Sequence, residues 1–259
     1  MAAARPPAVP ASVVAFAPRD RVRRLLRAAF PRRHGRLVLA RSAPEFGRLL
    51  RAELVDAAIV DAAAGDEAWV AAAQASELPA LPFLALVPAR VADVGLLARV
   101  AAADMADVLL EGVDDRALAA LVEPLRLTRR LAAALGEPPA ALRLATPLQR
   151  EVWAAIVSLA GRPATTADLA ERFGVTREHL SRSFAVGGAP TLKRAMDLVR
   201  VCVAAELAKN PGYDVADVAR ILGFASSSHL ATTTQRLVGT RPSSLARLRT
   251  VDLLERFAG

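Results

Sequence analysis

In the last third of this 259-residue chain, two sets of side chains are spaced to meet another molecule along one face of a helix. Arg177, Glu178, Ser181 and Arg182 fall one and four residues apart, so they share an outward stripe while Leu180 and Phe184 turn inward. Ser227, Ser228, Thr232, Gln235 and Arg236 form the second set. An arginine in such a stripe can take the O6/N7 edge of guanine in two places, worth about 1–3 kcal/mol of discrimination. A glutamate there can accept from cytosine or orient a neighbouring arginine, and hydroxyls can bond phosphate or base edges. Arg194, Arg220, Arg236 and Arg241 are expected beside a phosphate backbone, with Arg200 held inside its own helix. On this reading, replacing Arg177 or Arg182 changes base preference, and replacing Arg236 weakens all sequences alike.

Other chemistry has little to stand on. The chain has no phosphate-cradling G-x-x-x-x-G-K loop, no G-x-G-x-x-G after its first strand and no G-x-S-x-G elbow. His34, His179 and His229 are scattered without metal-ligand spacing. No catalytic residue, metal or cofactor is therefore expected. One carboxylate, Asp61, ends an apolar run.

The elements that must carry the two sets are helical corners. In the 214–242 stretch, Asp214 can cap a first helix with Asp217 in its opening turn. Val215, Val218, Ala219 and Leu222 share one apolar face. Gly223 ends that helix, Phe224 fills the corner and Ser226 caps the next helix. The 165–190 stretch repeats the plan: Ala170 stands to Gly174 as Ala219 stands to Gly223. His179-Leu180 recurs as His229-Leu230, and both units close on Gly-x-x-Pro, at Gly187 to Pro190 and Gly239 to Pro242. Between them one long amphipathic helix carries Leu192, Met196, Val199, Val203 and Leu207.

Two such corners tied by one helix resemble the DNA-binding half of AraC/XylS-type transcription regulators, over residues 146–248. The most specific pieces are the Ala-x-x-x-Gly-Phe corner at Ala219 to Phe224 and Arg200 ahead of the A-x-x-L segment at Ala204 to Leu207. The resemblance implies double-stranded DNA as partner, read in two successive major grooves about one turn (~34 Å) apart. It also implies a cytoplasmic regulator with RNA polymerase as a further partner. The chain departs from the family at His229, where an aromatic is usual, at Thr232, usually basic, and at Thr234, usually a core phenylalanine. The segment from Phe184 to Gly187 is two residues short.

Charge agrees with this placement. The net charge is +8, made of 34 basic and 26 acidic residues. Ahead of Ala141 stand 18 basic and 16 acidic residues, and from there on 16 and 10, so the excess sits on the helical half.

Residues 12–124 alternate strand and helix: strands at 12–16, 36–40, 57–61, 83–87 and 107–110, helices at 19–30, 44–53, 67–75, 91–102 and from 114. This predicts an open, parallel five-stranded sheet with helices on both faces. The order resembles a flavodoxin-like response-regulator receiver domain. That family takes its phosphoryl group on an aspartate matching Asp61, beside an acidic pair that holds a divalent cation. Here the first strand is followed by Ala15-Phe16-Ala17-Pro18 and no acidic pair. The hydroxyl position reads Val87-Pro88, and the lysine position reads Glu111-Gly112. Phosphoryl transfer depends on metal and cationic neutralisation of developing charge. The resemblance therefore implies a degenerate receiver that serves dimerisation or signal input without phosphorylation, the homodimer being made through residues 91–121 with Arg99, Asp104, Asp107 and Arg116 exposed. A phosphorylation-dependent regulator using Asp61, and a scaffold that binds protein instead of DNA, are the alternatives. The arginine cluster at Arg19, Arg21, Arg23, Arg24, Arg27, Arg32, Arg33 and Arg36 reads either as an anion site or as a solvated helix flank.

The domains expected are a loose tail at 1–11, a receiver-like domain at 12–135, a linker at 136–145 and the DNA-binding domain at 146–259. A single helix is expected from Ala117 to Leu135, with Leu118, Leu121, Leu125 and Leu135 as a weak dimer seam. No apolar run has the ~20 residues of a membrane span. Trp153 and Cys202 are read as core, the single cysteine fitting a reducing compartment.

Overall fold

The computed structural model describes residues 11–32, 35–89, 94–103 and 105–258. Residues 1–10 of the expected tail, Arg33, His34, Asp104 and the start of the helix expected from 91 lie outside that set. The chain divides into two compact units, one of residues 10–130 with 210–213, the other of 131–209 and 214–259. The division falls inside one helix, ahead of the Gly136 stretch where composition suggests a break.

The first unit alternates strand and helix as its sequence pattern requires. β1 (Ala11–Phe16), α1 (Asp20–Ala29), β2 (Gly35–Ala40), α2 (Ala43–Ala52) and β3 (Ala57–Asp61) come first. α3 (Asp66–Ser76), β4 (Phe83–Pro88), α4 (Val94–Ala102), β5 (Asp107–Glu111) and α5 (Leu118–Val122) follow. The strands pair in parallel in the order β2-β1-β3-β4-β5. Alternation within each strand fills two cores at once. Val14, Phe16, Ala58 and Val60 pack with Phe46, Leu50, Ala68 and Ala71 on one face. Val13, Ala15, Ile59 and Leu84 pack with Val22, Leu26, Leu118 and Val122 on the other. This is the receiver-like arrangement expected.

The helix expected to run unbroken from Ala117 to Leu135 does not form. α5 stops at Val122, a tight turn over Glu123–Leu125 holds Pro124, and α6 begins at Leu127 and ends at Leu135. Proline has no N–H to continue the ladder and crowds the carbonyl four residues back. The backbone then departs at Arg126 (ψ 138°) and the N–H groups of Leu127 and Thr128 turn to Asp56, one to its carbonyl and one to its carboxylate. The stripe that would make a dimer seam is broken with it.

In the second unit, α7 (Pro147–Ser158) opens on a Thr146–Gln149 capping box and buries Trp153, whose Nε1 donates to the Leu135 carbonyl at 2.8 Å. The spine is α10 (Leu192–Ala208), which packs against α7 and the later helices. Leu192, Met196, Val199, Val203 and Leu207 are all buried, as their spacing predicts. Cys202 is buried in the same helix, and burial pushes its thiol up to about 12, so it is an inert core residue. A last helix, α13 (Thr250–Ala258), closes the unit on Leu253. No helix among the described residues is long and apolar enough to cross a membrane.

Candidate nucleic-acid interface

Two helical corners flank α10, and the same hydrogen bonds build both. In the first, α8 (Thr166–Arg172) turns into α9 (Arg177–Phe184); in the second, α11 (Val215–Ile221) turns into α12 (Ser227–Val238). At the end of α8, Val175 N–H donates to Ala170 O and Gly174 N–H to Glu171 O, each at 3.0 Å. At the end of α11, Phe224 N–H donates to Ala219 O at 2.8 Å and Gly223 N–H to Arg220 O at 3.1 Å. This paired closure needs a left-handed residue, and Gly174 (φ 65°) and Gly223 (φ 67°) supply it.

The four helix starts are duplicated too. Capping boxes at Thr165–Asp168 and Asp214–Asp217 open the leading helices. Thr176 and Ser226 accept from the N–H groups of His179 and His229 at 3.2 and 3.1 Å to open the reading helices. In each recurring His-Leu pair the histidine backbone N–H satisfies the cap, and Leu180 and Leu230 plug the core.

Each corner leaves its expected readers outward. Arg177, Glu178 and Arg182 are exposed on α9 and Ser181 is half-buried, while Leu180 and Phe184 are fully buried beneath them. Arg177 pairs with Glu178 at 3.0 Å, and a hydrogen bond from its own backbone N–H together with Arg177 holds the Glu178 carboxyl below the ordinary range. Gln149, buried under the end of α9, donates its amide to the Phe184 and Val186 carbonyls at 2.8 and 3.0 Å. That amide bridge secures the shortened segment, which closes through the left-handed Gly187 and Gly188.

On α12, Ser227, Ser228, Thr232, Gln235 and Arg236 line one open groove of about 780 Å³ together with Arg241. Val215 joins that lining and is 38% exposed, so it does not share the buried face of Val218, Ala219 and Leu222 expected of it. As the first residue of α11 it precedes the turn that packs. Thr234 is buried, with its hydroxyl donating to Leu230 O at 2.8 Å, so the smaller residue is satisfied inside its own helix.

The arginines expected on phosphates are exposed and partly engaged. Arg194 lies 5.0 Å over the Phe257 ring, Arg220 pairs with Asp217 at 2.6 Å, and Arg236 pairs with Asp197 at 3.4 Å. Arg200 is held internally, as expected, 5.1 Å over the Phe224 ring. Asp197 went unremarked in the sequence. A carboxylate within an apolar run, with Lys193 four residues before and Arg200 three after, is the signal that marks it.

In the first unit the other candidate, Asp61, is fully buried at the end of β3. Arg19, just past β1, donates Nε to both its oxygens at 2.8 and 2.9 Å and also reaches Glu111 at 2.9 Å. Arg21 closes on Glu111 from outside at 2.7 Å. Burial pushes the Asp61 carboxyl up, against the pull of Arg19. Burial also works against the Arg19 charge, but the two carboxylates outweigh it and raise its pKa. In a doubly wound sheet, the crevice beside the first strand at the carboxyl ends is where ligands bind; here an arginine fills it. The arginine cluster is accordingly not one surface. Arg19 and Arg21 serve this ion-pair group, Arg23 is buried against the Ala17 carbonyl, and Arg36 pairs with Glu53.

Residues 169–247 match the family model of a helix-turn-helix domain. The second unit is thus a double helix-turn-helix domain, the class of module that transcription regulators use to bind DNA. Its particular type is that of the AraC regulators, and it is joined in this chain to a receiver-like α/β unit. No curated protein matches the sequence. Among solved structures, a response regulator from Thermotoga maritima is 19% identical (TM-score 0.39), covering 45% of this chain and 98% of its own. Full-length FixJ from B. japonicum is 14% identical (TM-score 0.40), covering 88% and 97%.

Proposed function

We propose that the protein is a sequence-specific transcription regulator that reads one asymmetric duplex site, with α9 and α12 in successive major grooves. The observation that carries this reading is the duplicated corner: two reading helices with identical caps and closures, each with polar side chains outward and leucine inward. Arg177 and Arg182 take guanine edges, and Ser227, Ser228, Thr232 and Gln235 give α12 an uncharged reading face.

The receiver-like unit acts by association and not by phosphoryl chemistry. Both Asp61 oxygens already accept from Arg19, and Glu111 stands where a cation-seeking phosphoryl group needs positive charge. The pairing surface is the end of the sheet at β5, where Val94, Leu97, Val108, Leu110, Val113 and Leu121 are exposed. Apolar exposure of this kind supports a homodimer. Incubation with acetyl phosphate followed by intact-mass measurement leaves the protein's mass unchanged. An adduct that disappears in Asp61→Asn would restore the phosphorylation reading.

A further inference from the structure

We propose that Asp197, on the linking helix and on neither reading helix, is a positioning residue that fixes how α12 lies in its groove. The inference rests on the DNA-binding reading above. Asp197 is 4% exposed in the middle of α10, between the buried Met196 and Leu198. A carboxylate is costly there unless it is paired. It is paired to three cations: Lys193 at 3.3 Å, Arg200 at 3.9 Å and Arg236 at 3.4 Å. Lys193 and Arg200 belong to α10 itself. Arg236 comes from the last turn of α12, where a cation also suits the negative helix end.

A second link lies one turn along the same face of α10. Arg200 stacks on Phe224 in the corner, and the Phe224 ring meets the His229 ring edge-on at 5.6 Å. The reading helix is therefore fastened at both ends from one stripe of α10, at its start through Arg200 and Phe224 and at its end through Asp197 and Arg236. Between those points its buried side chains are Leu230, Thr233 and Thr234, and the Thr234 hydroxyl is spent inside the helix on Leu230 O, giving no directional anchor to a neighbour. The ion pair supplies that direction. Arg236 keeps 59% of its side chain exposed, and a guanidinium has five donors, so binding Asp197 leaves donors facing the groove.

The test is binding-site selection from a random duplex library with the full-length protein, Asp197→Asn, Arg236→Gln, Lys193→Gln and the Asp197/Arg236 double variant, each followed by a thermal melt. Asp197→Asn keeps the half of the motif read by α9 and loses base preference on the order of tenfold in the other half. Arg236→Gln gives the same lopsided loss, and the double variant is no worse than either single. Lys193→Gln, on the same carboxylate but the same helix, keeps the parental motif. If Asp197→Asn does not fold, Arg236→Gln decides alone, because its side chain is largely exposed. A parental motif in Asp197→Asn, or a uniform loss over all sequences in Arg236→Gln, overturns the proposal while leaving DNA binding intact. A parent protein that enriches no sequence overturns the DNA reading, and this inference with it.

Discussion

The two reading helices are built alike and equipped differently. Both begin on a hydroxyl cap, both follow a glycine closure with the same pair of hydrogen bonds, and both plug the core with a leucine four residues past the cap. Yet α9 presents Arg177, Glu178 and Arg182, while the face of α12 is hydroxyl and amide until Arg236. Their anchors differ as well: α9 is held from α7 by the Gln149 amide, and α12 from α10 by Asp197 and Arg200. Corner geometry depends on backbone closure and buried apolar plugs, so it survives changes in the outward residues. Reading chemistry and fastening are free to diverge on one scaffold.

That contrast can be broken most sharply at the readers. Arg177→Ala with Arg182→Ala removes two bidentate-capable side chains, each worth about 1–3 kcal/mol, so affinity for a selected site falls about thirtyfold or more. Ser228→Ala with Thr232→Ala costs several-fold at most, measured by titration on the same fragment. Equal losses would mean that the two helices contribute alike.

The corners themselves differ in how tightly they are packed. An added Cβ at Gly223 would meet Pro163 Cγ at 2.3 Å, whereas one at Gly174 meets nothing within 4 Å. Gly174→Ala costs the left-handed penalty of about 1–2 kcal/mol, and Gly223→Ala about 1–3 kcal/mol beyond it. Denaturant melts of the two variants compare them directly, and similar midpoints would show that the Pro163 contact yields.

The smallest effect is on pH. The Thr165 backbone N–H, with its hydroxyl, holds the exposed Asp168 carboxyl below its ordinary value. A depressed folded pKa stabilises above the unfolded value, and that stabilisation is lost as pH falls through the folded one. The protection factor for hydrogen exchange at the start of α8, referred to the intrinsic rate at each pH, therefore falls on acidification below the usual carboxylate range. Asp168→Asn shows the lower protection already at neutral pH, and a variant still as protected as the parent there would contradict the cap.

Much of this was legible beforehand because it rests on local rules. Periodicity placed every strand of the sheet, and caps and glycines placed both corners to within a residue or two. What escaped was set by distant partners. Nothing near Asp61 in the sequence says that Arg19 and Glu111 will converge on it from two other strand ends. The Arg236–Asp197 pair joins residues 39 apart, so a side chain expected on phosphate is also an internal strut. Pro124 was visible, but the leucine spacing on either side of it suggested a continuous helix that the proline forbids.

Hydroxyl-radical footprinting of a selected fragment tests the central claim most directly. Two protected patches on one face of the duplex, about one helical turn apart, are expected, with Arg177→Ala and Arg182→Ala clearing one patch and leaving the other. A single patch, or protection spread evenly along the fragment, would contradict a paired reading by α9 and α12.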